Sequence, residues 1–227
     1  MNTWIKICGT TNLQDARLAV AAGANALGFI FAPSPRRVEV RQVRPIAEQV
    51  REEVERIGLF VNETPDAIAE TFKRVDLTGV QLHGDEPPEE VADLRERLGS
   101  KARIIKTLRF TSQLAKELVR FSDRRLLDAV LIDTFSPDVR GGTGVAFDWE
   151  EAKEILRRAS IPIIVAGGLK PENVQQALTI LEPWGVDATS GLESQPGQKD
   201  AKKVRAFCAA VKGFQEVKAA QAVKEKI

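Results

Sequence analysis

The sequence predicts an α/β protein folded as a single-domain (β/α)8 TIM barrel. Short apolar, β-branched runs begin near Trp4, Ala26, Ile57, Gly79, Ala102, Ala129, Pro162 and Gly185, each 22 residues (Trp4 to Ala26) to 33 residues (Ala129 to Pro162) from the last. Most of the intervening segments carry helical periodicity. Eight such alternations over roughly 200–250 residues match the barrel. A doubly wound open sheet has the same alternation, and counting elements does not show closure.

The helical segments are marked at both ends. Thr64-Pro65-Asp66 offers a capping threonine with proline at the first helical position. Gly23 and Gly99 stand where helices should stop. Val91, Leu94 and Leu98 share one face, as do Val174, Ala177, Leu178 and Leu181, and Val204, Phe207, Cys208 and Val211. The connection from Thr111 to Arg125 is the least regular. The barrel is expected over residues 1–213, and residues 214–227, rich in Ala, Lys, Glu and Val, read as a helical extension or a frayed end.

Composition narrows the function. With 43% hydrophobic and 29% charged residues the chain can bury a sizeable core. Lys and Arg (33) balance Asp and Glu (32), which argues against nucleic acid as a partner. No apolar run reaches membrane-spanning length, and the N-terminus lacks a signal-peptide layout. Two distant cysteines, Cys8 and Cys208, fit a reduced, cytoplasmic setting. One histidine, His83, argues against a His-based metal site. Gly142 and Gly144 are followed by Phe147 where a dinucleotide fingerprint requires glycine, and no Gly-Lys-Ser/Thr phosphate loop occurs.

In such a barrel the site forms at the carboxyl ends of the strands. The run Val130-Leu131-Ile132 stops on Asp133, and a loop through Gly141-Gly142-Thr143-Gly144 follows. An acid ending a buried strand is costly unless it is solvated, paired or used. The glycines can bring backbone N–H groups to an anion, or make an ordinary loop. The first strand ends at Cys8, which is either an inert core thiol or one activated by cations such as Lys6 and Arg36; alternation puts residues 6 and 8 on the same side. Arg36 and Arg37 are either solvated loop charges or a fork for a substrate carboxylate. His83 ends the fourth strand as a base, a donor or a structural histidine. Glu86 and Glu193 read as solvated or capping. Gly167-Gly168 after the seventh strand and Ser190-Gly191 after the eighth are placed to bind phosphate through backbone N–H groups.

Taken together, Lys6-Ile7-Cys8-Gly9, Ser34-Pro35-Arg36-Arg37-Val38, Gly58-Leu59-Phe60-Val61-Asn62, Gln81-Leu82-His83-Gly84-Asp85-Glu86, Asp133-Thr134 with Gly141-Gly142-Thr143-Gly144, Ala166-Gly167-Gly168-Leu169 and Gly185-Val186-Asp187 through Ser190-Gly191-Leu192-Glu193 resemble the phosphoribosylanthranilate isomerases of tryptophan biosynthesis. The resemblance runs from about residue 4 to about residue 212. Thr10-Thr11 and Thr189 depart mildly from the family's usual residues.

The resemblance implies an Amadori rearrangement of N-(5-phosphoribosyl)anthranilate, a small phosphosugar, without cofactor or metal. It assigns Asp133 as general acid, Cys8 as general base and Arg36 to the anthranilate carboxylate. Phosphate falls to Gly167, Gly168, Ser190 and Gly191, and a lid to the loop carrying Gly141 and Gly142. His83 and Asp187 are expected to line the pocket. Assembly as monomer or homodimer stays open. The histidine-pathway isomerase that performs the same rearrangement resembles a two-aspartate site on repeated half-barrels, whereas Cys8 stands here and the halves show no repeat. A non-catalytic phospholigand-binding barrel would be expected to lack Cys8 or Asp133.

Overall fold

A computed structural model describes residues 2–133 and 149–224. Eight parallel strands, β1 (Trp4–Ile7), β2 (Ala26–Ile30), β3 (Glu55–Phe60), β4 (Gly79–Leu82), β5 (Arg103–Arg109), β6 (Ala129–Asp133), β7 (Ile163–Ala166) and β8 (Gly185–Ala188), form a closed barrel in sequential order. Closure is the pairing of β1 with β8, with Lys6 opposite Asp187 and Ile7 opposite Ala188. That pairing excludes the open sheet. Strand starts fall within two residues of those read from the sequence.

The connecting helices are α1 (Leu13–Ala22), α2 (Val40–Gln49), α3 (Pro65–Val75), α4 (Pro88–Leu98), α5 (Leu114–Arg120), α6 (Trp149–Leu156), α7 (Val174–Leu181) and α8 (Ala201–Lys224). The expected caps are in place. Thr64 accepts from the Ala67 N–H with Pro65 in the first turn, and Gly23 closes α1 at φ 95°. The irregular Thr111–Arg125 connection contains only the seven-residue α5. A hairpin of β9 (Glu193–Gln195) and β10 (Gln198–Lys199), with no counterpart in the sequence reading, follows β8.

Side-chain alternation divides the core. Ile5 and Ile7 face outward into the layer between sheet and helices, whereas Trp4 belongs to the barrel interior with Ala26, Ile57, Ile105, Ala129 and Ile164. Trp4 stacks on Trp184 at 5.3 Å between centroids, and the Arg103 guanidinium lies over both rings. Glu55 accepts from Arg103 and from the Trp4 indole N–H (3.2 Å). The amino end of the barrel is thereby floored with aromatic rings whose polar atoms are satisfied.

Helix α8 begins after Asp200, whose carboxylate accepts from the N–H groups of Lys202 and Lys203. Its expected apolar face, Val204, Phe207, Cys208 and Val211, is wholly buried. The helix runs on past Gly213 to Lys224, and Gln215 on this stretch donates to the Thr3 carbonyl at 3.3 Å. Residues 225–227 lie outside the described residues. Phe207→Ala is expected to cost ~3–5 kcal/mol, read as a lowered urea midpoint; a loss below about 1 kcal/mol would show that α8 is not integral to the cooperative core.

Candidate active site

The carboxyl ends of the strands surround a cavity of about 440 Å³. That volume suits a drug-sized or metabolite-sized ligand. Its wall includes Cys8 from β1, His83 from β4, Asp133 from β6, Gly167 and Gly168 after β7, and Asp187, Ser190 and Gly191 from β8 and its loop. Residues far apart in the chain meet here because parallel strands deliver all their carboxyl ends to one face. Gly141 and Gly142, with the loop that carries them, lie outside the described residues.

Cys8 continues the inward line of Trp4 and Lys6 and is 2% exposed. Gly28 on the neighbouring strand makes room for it: a Cβ there would stand 2.6 Å from the Cys8 sulfur. Beneath Cys8 the Lys6 ammonium, fully buried, contacts the Asp187 carboxylate at 2.8 Å. Burial pushes the Lys6 ammonium toward losing its proton. The charges of Asp187 and Cys8 outweigh this and raise its pKa above the usual lysine value. A protonated lysine is therefore locked below the sulfur, and negative charge on that sulfur has a fixed cation beside it.

His83 closes another side. The Gln81 amide nitrogen lies 3.1 Å from His83 Nδ1 and 3.0 Å from Thr107 Oγ1. With that nitrogen as donor, Nδ1 accepts, and a neutral ring carries its proton on Nε2. His83 Nε2 faces Asp133 Oδ2 at 3.7 Å, an electrostatic contact longer than a hydrogen bond. Burial lowers the His83 pKa below the usual histidine value despite Asp133. The imidazole is consequently neutral at pH 7, and no permanent imidazolium–carboxylate pair locks Asp133.

Behind His83, Glu86, read in the sequence as solvated or capping, is 3% exposed and so not solvated. It accepts from the N–H groups of Asn62 (2.9 Å) and Gly84 (3.0 Å) and from Lys106 Nζ (2.8 Å). Burial alone would raise its pKa; Lys106 and the amides reverse this and hold it below the ordinary glutamate value. Lys106 also donates to the Gly84 carbonyl at 2.7 Å. The pair thus pins the loop after His83. Glu193 corrects a second expectation, being 6% exposed and bonded to Arg36 and Lys199. Both carboxylates looked ordinary in the sequence because Lys106 and Arg36 come from distant elements, and the nearby Lys199 meets Glu193 only through the unforeseen β9–β10 pairing.

On the opposite side, Gly167 and Gly168 take φ 90° and 68°, values that favour glycine. Asn173 fixes this turn by donating to the Gly168 carbonyl (3.1 Å) and accepting from the Lys170 N–H (2.8 Å). Ser190–Leu192 form one 3-10 turn, close enough to Leu169 that a side chain at Gly191 would strike its carbonyl. Arg36 stands apart from the cavity wall. Its stem crosses Gly9, and its guanidinium is held by Glu193. Arg37, the other loop arginine, is exposed. Among the described residues no cluster of His, Cys, Asp and Glu could hold a metal ion.

Two tests follow from the Glu86 network. Lys106→Met strands a buried carboxylate and is expected to cost roughly 3–5 kcal/mol of stability. Because the folded Glu86 pKa is depressed, its contribution is present above about pH 4.5, the ordinary glutamate value, and is lost as pH falls through the folded value. Glu86→Gln should therefore flatten the acid limb of the stability–pH curve; an unchanged limb would contradict the assignment.

Comparisons with known proteins identify the family. The family model described as N-(5'phosphoribosyl)anthranilate (PRA) isomerase matches residues 5–210. A protein of Geobacter sulfurreducens named N-(5'-phosphoribosyl)anthranilate isomerase is 43% identical over 211 residues, 92% of this chain and 98% of that protein. Its namesake in Rubrobacter xylanophilus is 44% identical over the same shares. The crystal structure of the Thermotoga maritima phosphoribosyl anthranilate isomerase superposes with a TM-score of 0.82 at 37% identity, covering 93% of this chain and 99% of that one. A phosphoribosyl anthranilate isomerase in complex with reduced 1-(o-carboxyphenylamino)-1-deoxyribulose 5-phosphate does so at 0.79 and 35% identity, with the same coverage. The chain, matched along nearly its whole barrel, belongs to the N-(5'-phosphoribosyl)anthranilate isomerase family.

Proposed function

We propose that Cys8 and Asp133 are the acid–base pair of this isomerase of tryptophan biosynthesis, which converts N-(5-phosphoribosyl)anthranilate to 1-(2-carboxyphenylamino)-1-deoxyribulose 5-phosphate. The observation that carries the reading is the convergence of a sulfur over a buried ammonium and a carboxylate beside a neutral imidazole in one cavity.

The reaction needs one proton delivered and one removed. Asp133 gives its proton to the furanose ring oxygen. The C1–O bond breaks, and the anilino nitrogen's lone pair forms an iminium at C1. The Cys8 thiolate then takes the proton from C2, and the C–H electrons flow toward nitrogen to give an enolamine. Tautomerisation of its C2 hydroxyl yields the ketone. The Lys6 ammonium offsets the charge that the sulfur carries before it accepts the proton. Neutral His83 faces Asp133 without replacing it as donor.

The 5-phosphate is assigned to the turns at Gly167-Gly168 and Ser190-Gly191, where backbone N–H groups can point at an anion without a bound cation. Arg36 is assigned to the anthranilate carboxylate. Glu193 occupies Nε and Nη2, whereas Nη1 carries no hydrogen bond among the described residues. A planar guanidinium with one edge held and another open suits a carboxylate at the rim.

No helix among the described residues is long and apolar enough to cross a membrane. Both cysteines are free and buried. Free cysteines fit the reduced, cytoplasmic setting, and the cavity of about 440 Å³ fits a small-molecule partner. The assembly is assigned to a monomer or a homodimer; one relative from Thermotoga maritima is described as dimeric.

Turnover is followed as loss of anthranilate-type fluorescence. Cys8→Ala and Asp133→Ala are each expected to lose ~10²–10⁴-fold in kcat while remaining folded. Near-normal activity in Cys8→Ala would move the base to His83. Gly28→Ala replaces no reacting group, yet its Cβ would stand 2.6 Å from the Cys8 sulfur and crowd it; a displacement of about 1 Å predicts a loss near 10²-fold. Unaltered kcat in that variant would mean the thiol position is not critical.

A further inference from the structure

Glu193 is the most heavily bonded carboxylate at the rim of the site, and the acid–base chemistry does not use it. It lies in β9 after the phosphate-side turn, and its side chain is 4% exposed. Arg36 donates to it three times, from Nε at 2.8 and 3.0 Å and from Nη2 at 2.6 Å. On its other side, Glu193 Oε1 accepts from Lys199 Nζ at 3.1 Å and from the Gly197 N–H at 3.3 Å.

Lys199 is fully buried and donates also to the Cys8 carbonyl at 2.6 Å. Its main-chain N–H is taken by Asp15 at 2.9 Å. Burial lowers the Lys199 pKa despite Glu193, and the two cations hold the Glu193 pKa below the ordinary value against its own burial. The cluster of Arg36, Glu193 and Lys199 therefore carries one net positive charge when all three are ionised. Its only half-exposed member is Arg36, whose side chain is 18% exposed. Gly9, immediately after Cys8, lets the Arg36 stem pass: a Cβ there would meet Arg36 Cδ at 2.8 Å.

From this geometry we propose that Glu193 is a positioning residue for substrate recognition, fixing the Arg36 guanidinium plane so that its open edge meets the anthranilate carboxylate. The proposal rests on the assignment of Arg36 made above. A free arginine carries several rotatable bonds, and ordering it on binding weakens the complex. Glu193 orders it beforehand. Lys199 makes this possible, because it shares the carboxylate's charge and leaves Arg36 net attractive to an anion. The same lysine ties the clamp to the main chain of the general base, so the end of the substrate that is gripped and the thiol that removes its proton are referenced to one frame.

The test measures KM, kcat and the dissociation constant of reduced 1-(o-carboxyphenylamino)-1-deoxyribulose 5-phosphate for wild type, Arg36→Met, Glu193→Gln and the double variant, with thermal midpoints to establish folding. Glu193→Gln keeps the shape of the side chain and removes its charge. It is expected to raise KM and the dissociation constant roughly tenfold or more, with a smaller change in kcat. In the Arg36→Met background it should add little, because nothing remains to be oriented. Additive losses in the cycle would make Glu193 a general structural group and overturn the proposal. Tighter binding in Glu193→Gln would overturn it too, showing a competitor for Arg36 rather than a guide. An unchanged dissociation constant in Arg36→Met removes the carboxylate assignment and the proposal with it. Absence of turnover in wild type would instead strike the acid–base reading.

Discussion

The pairing of β1 with β8 is the constraint on which the site depends. It closes the barrel, and its register sets Lys6 opposite Asp187. Neither charge could be buried alone without a penalty of several kcal/mol; together they are tolerated, and breaking either would leave the other stranded. Two residues past Lys6, just beyond the end of β1, the same inward line places Cys8 over that ammonium. Shifting the register by one residue would turn Lys6 toward the helices and carry the sulfur away from the cavity.

Around this pair the site is assembled from supports drawn from every side of the barrel. Gln81 orients His83, Glu86 and Lys106 hold the loop behind it, and Asn173 fixes the turn at Gly168. Gln81 and the Glu86–Lys106 pair are themselves buried, and Asn173 is tied to backbone on both sides. Such backing keeps functional groups in place without reorganisation at the moment of reaction, which is where preorganised sites gain most.

Much of this was legible in the chain. The strand ends named Cys8, His83, Asp133, Asp187 and both glycine turns, because parallel-barrel geometry converts "last residue of an apolar run" into "residue at the pocket". Closure was not legible, since pairing of first and last strands leaves no local mark. Alternation offered Lys6 as a cation beside Cys8 but not its Asp187 partner, and the roles of Gln81 and Lys106 were not legible, since both sit inside apolar runs and differ from ordinary strand residues only by facing inward. Glu86 and Glu193 were read as solvated or capping, and their burial in ion pairs went unseen because Lys106 and Arg36 are 20 and 157 residues away. The β9–β10 hairpin escaped notice because Glu193–Gln195 is neither apolar nor alternating.

The aromatic floor has a consequence for the field inside the barrel. Trp4 and Trp184 fill the amino end, and apolar side chains follow until Lys6 and Asp187. A low-dielectric plug screens poorly, so the potential of the ionic layer is not dissipated downward. It is focused along the barrel axis toward the one end that solvent reaches. The rings that look like simple packing thus act as insulation, and they direct the electrostatic influence of the buried layer onto whatever occupies the mouth.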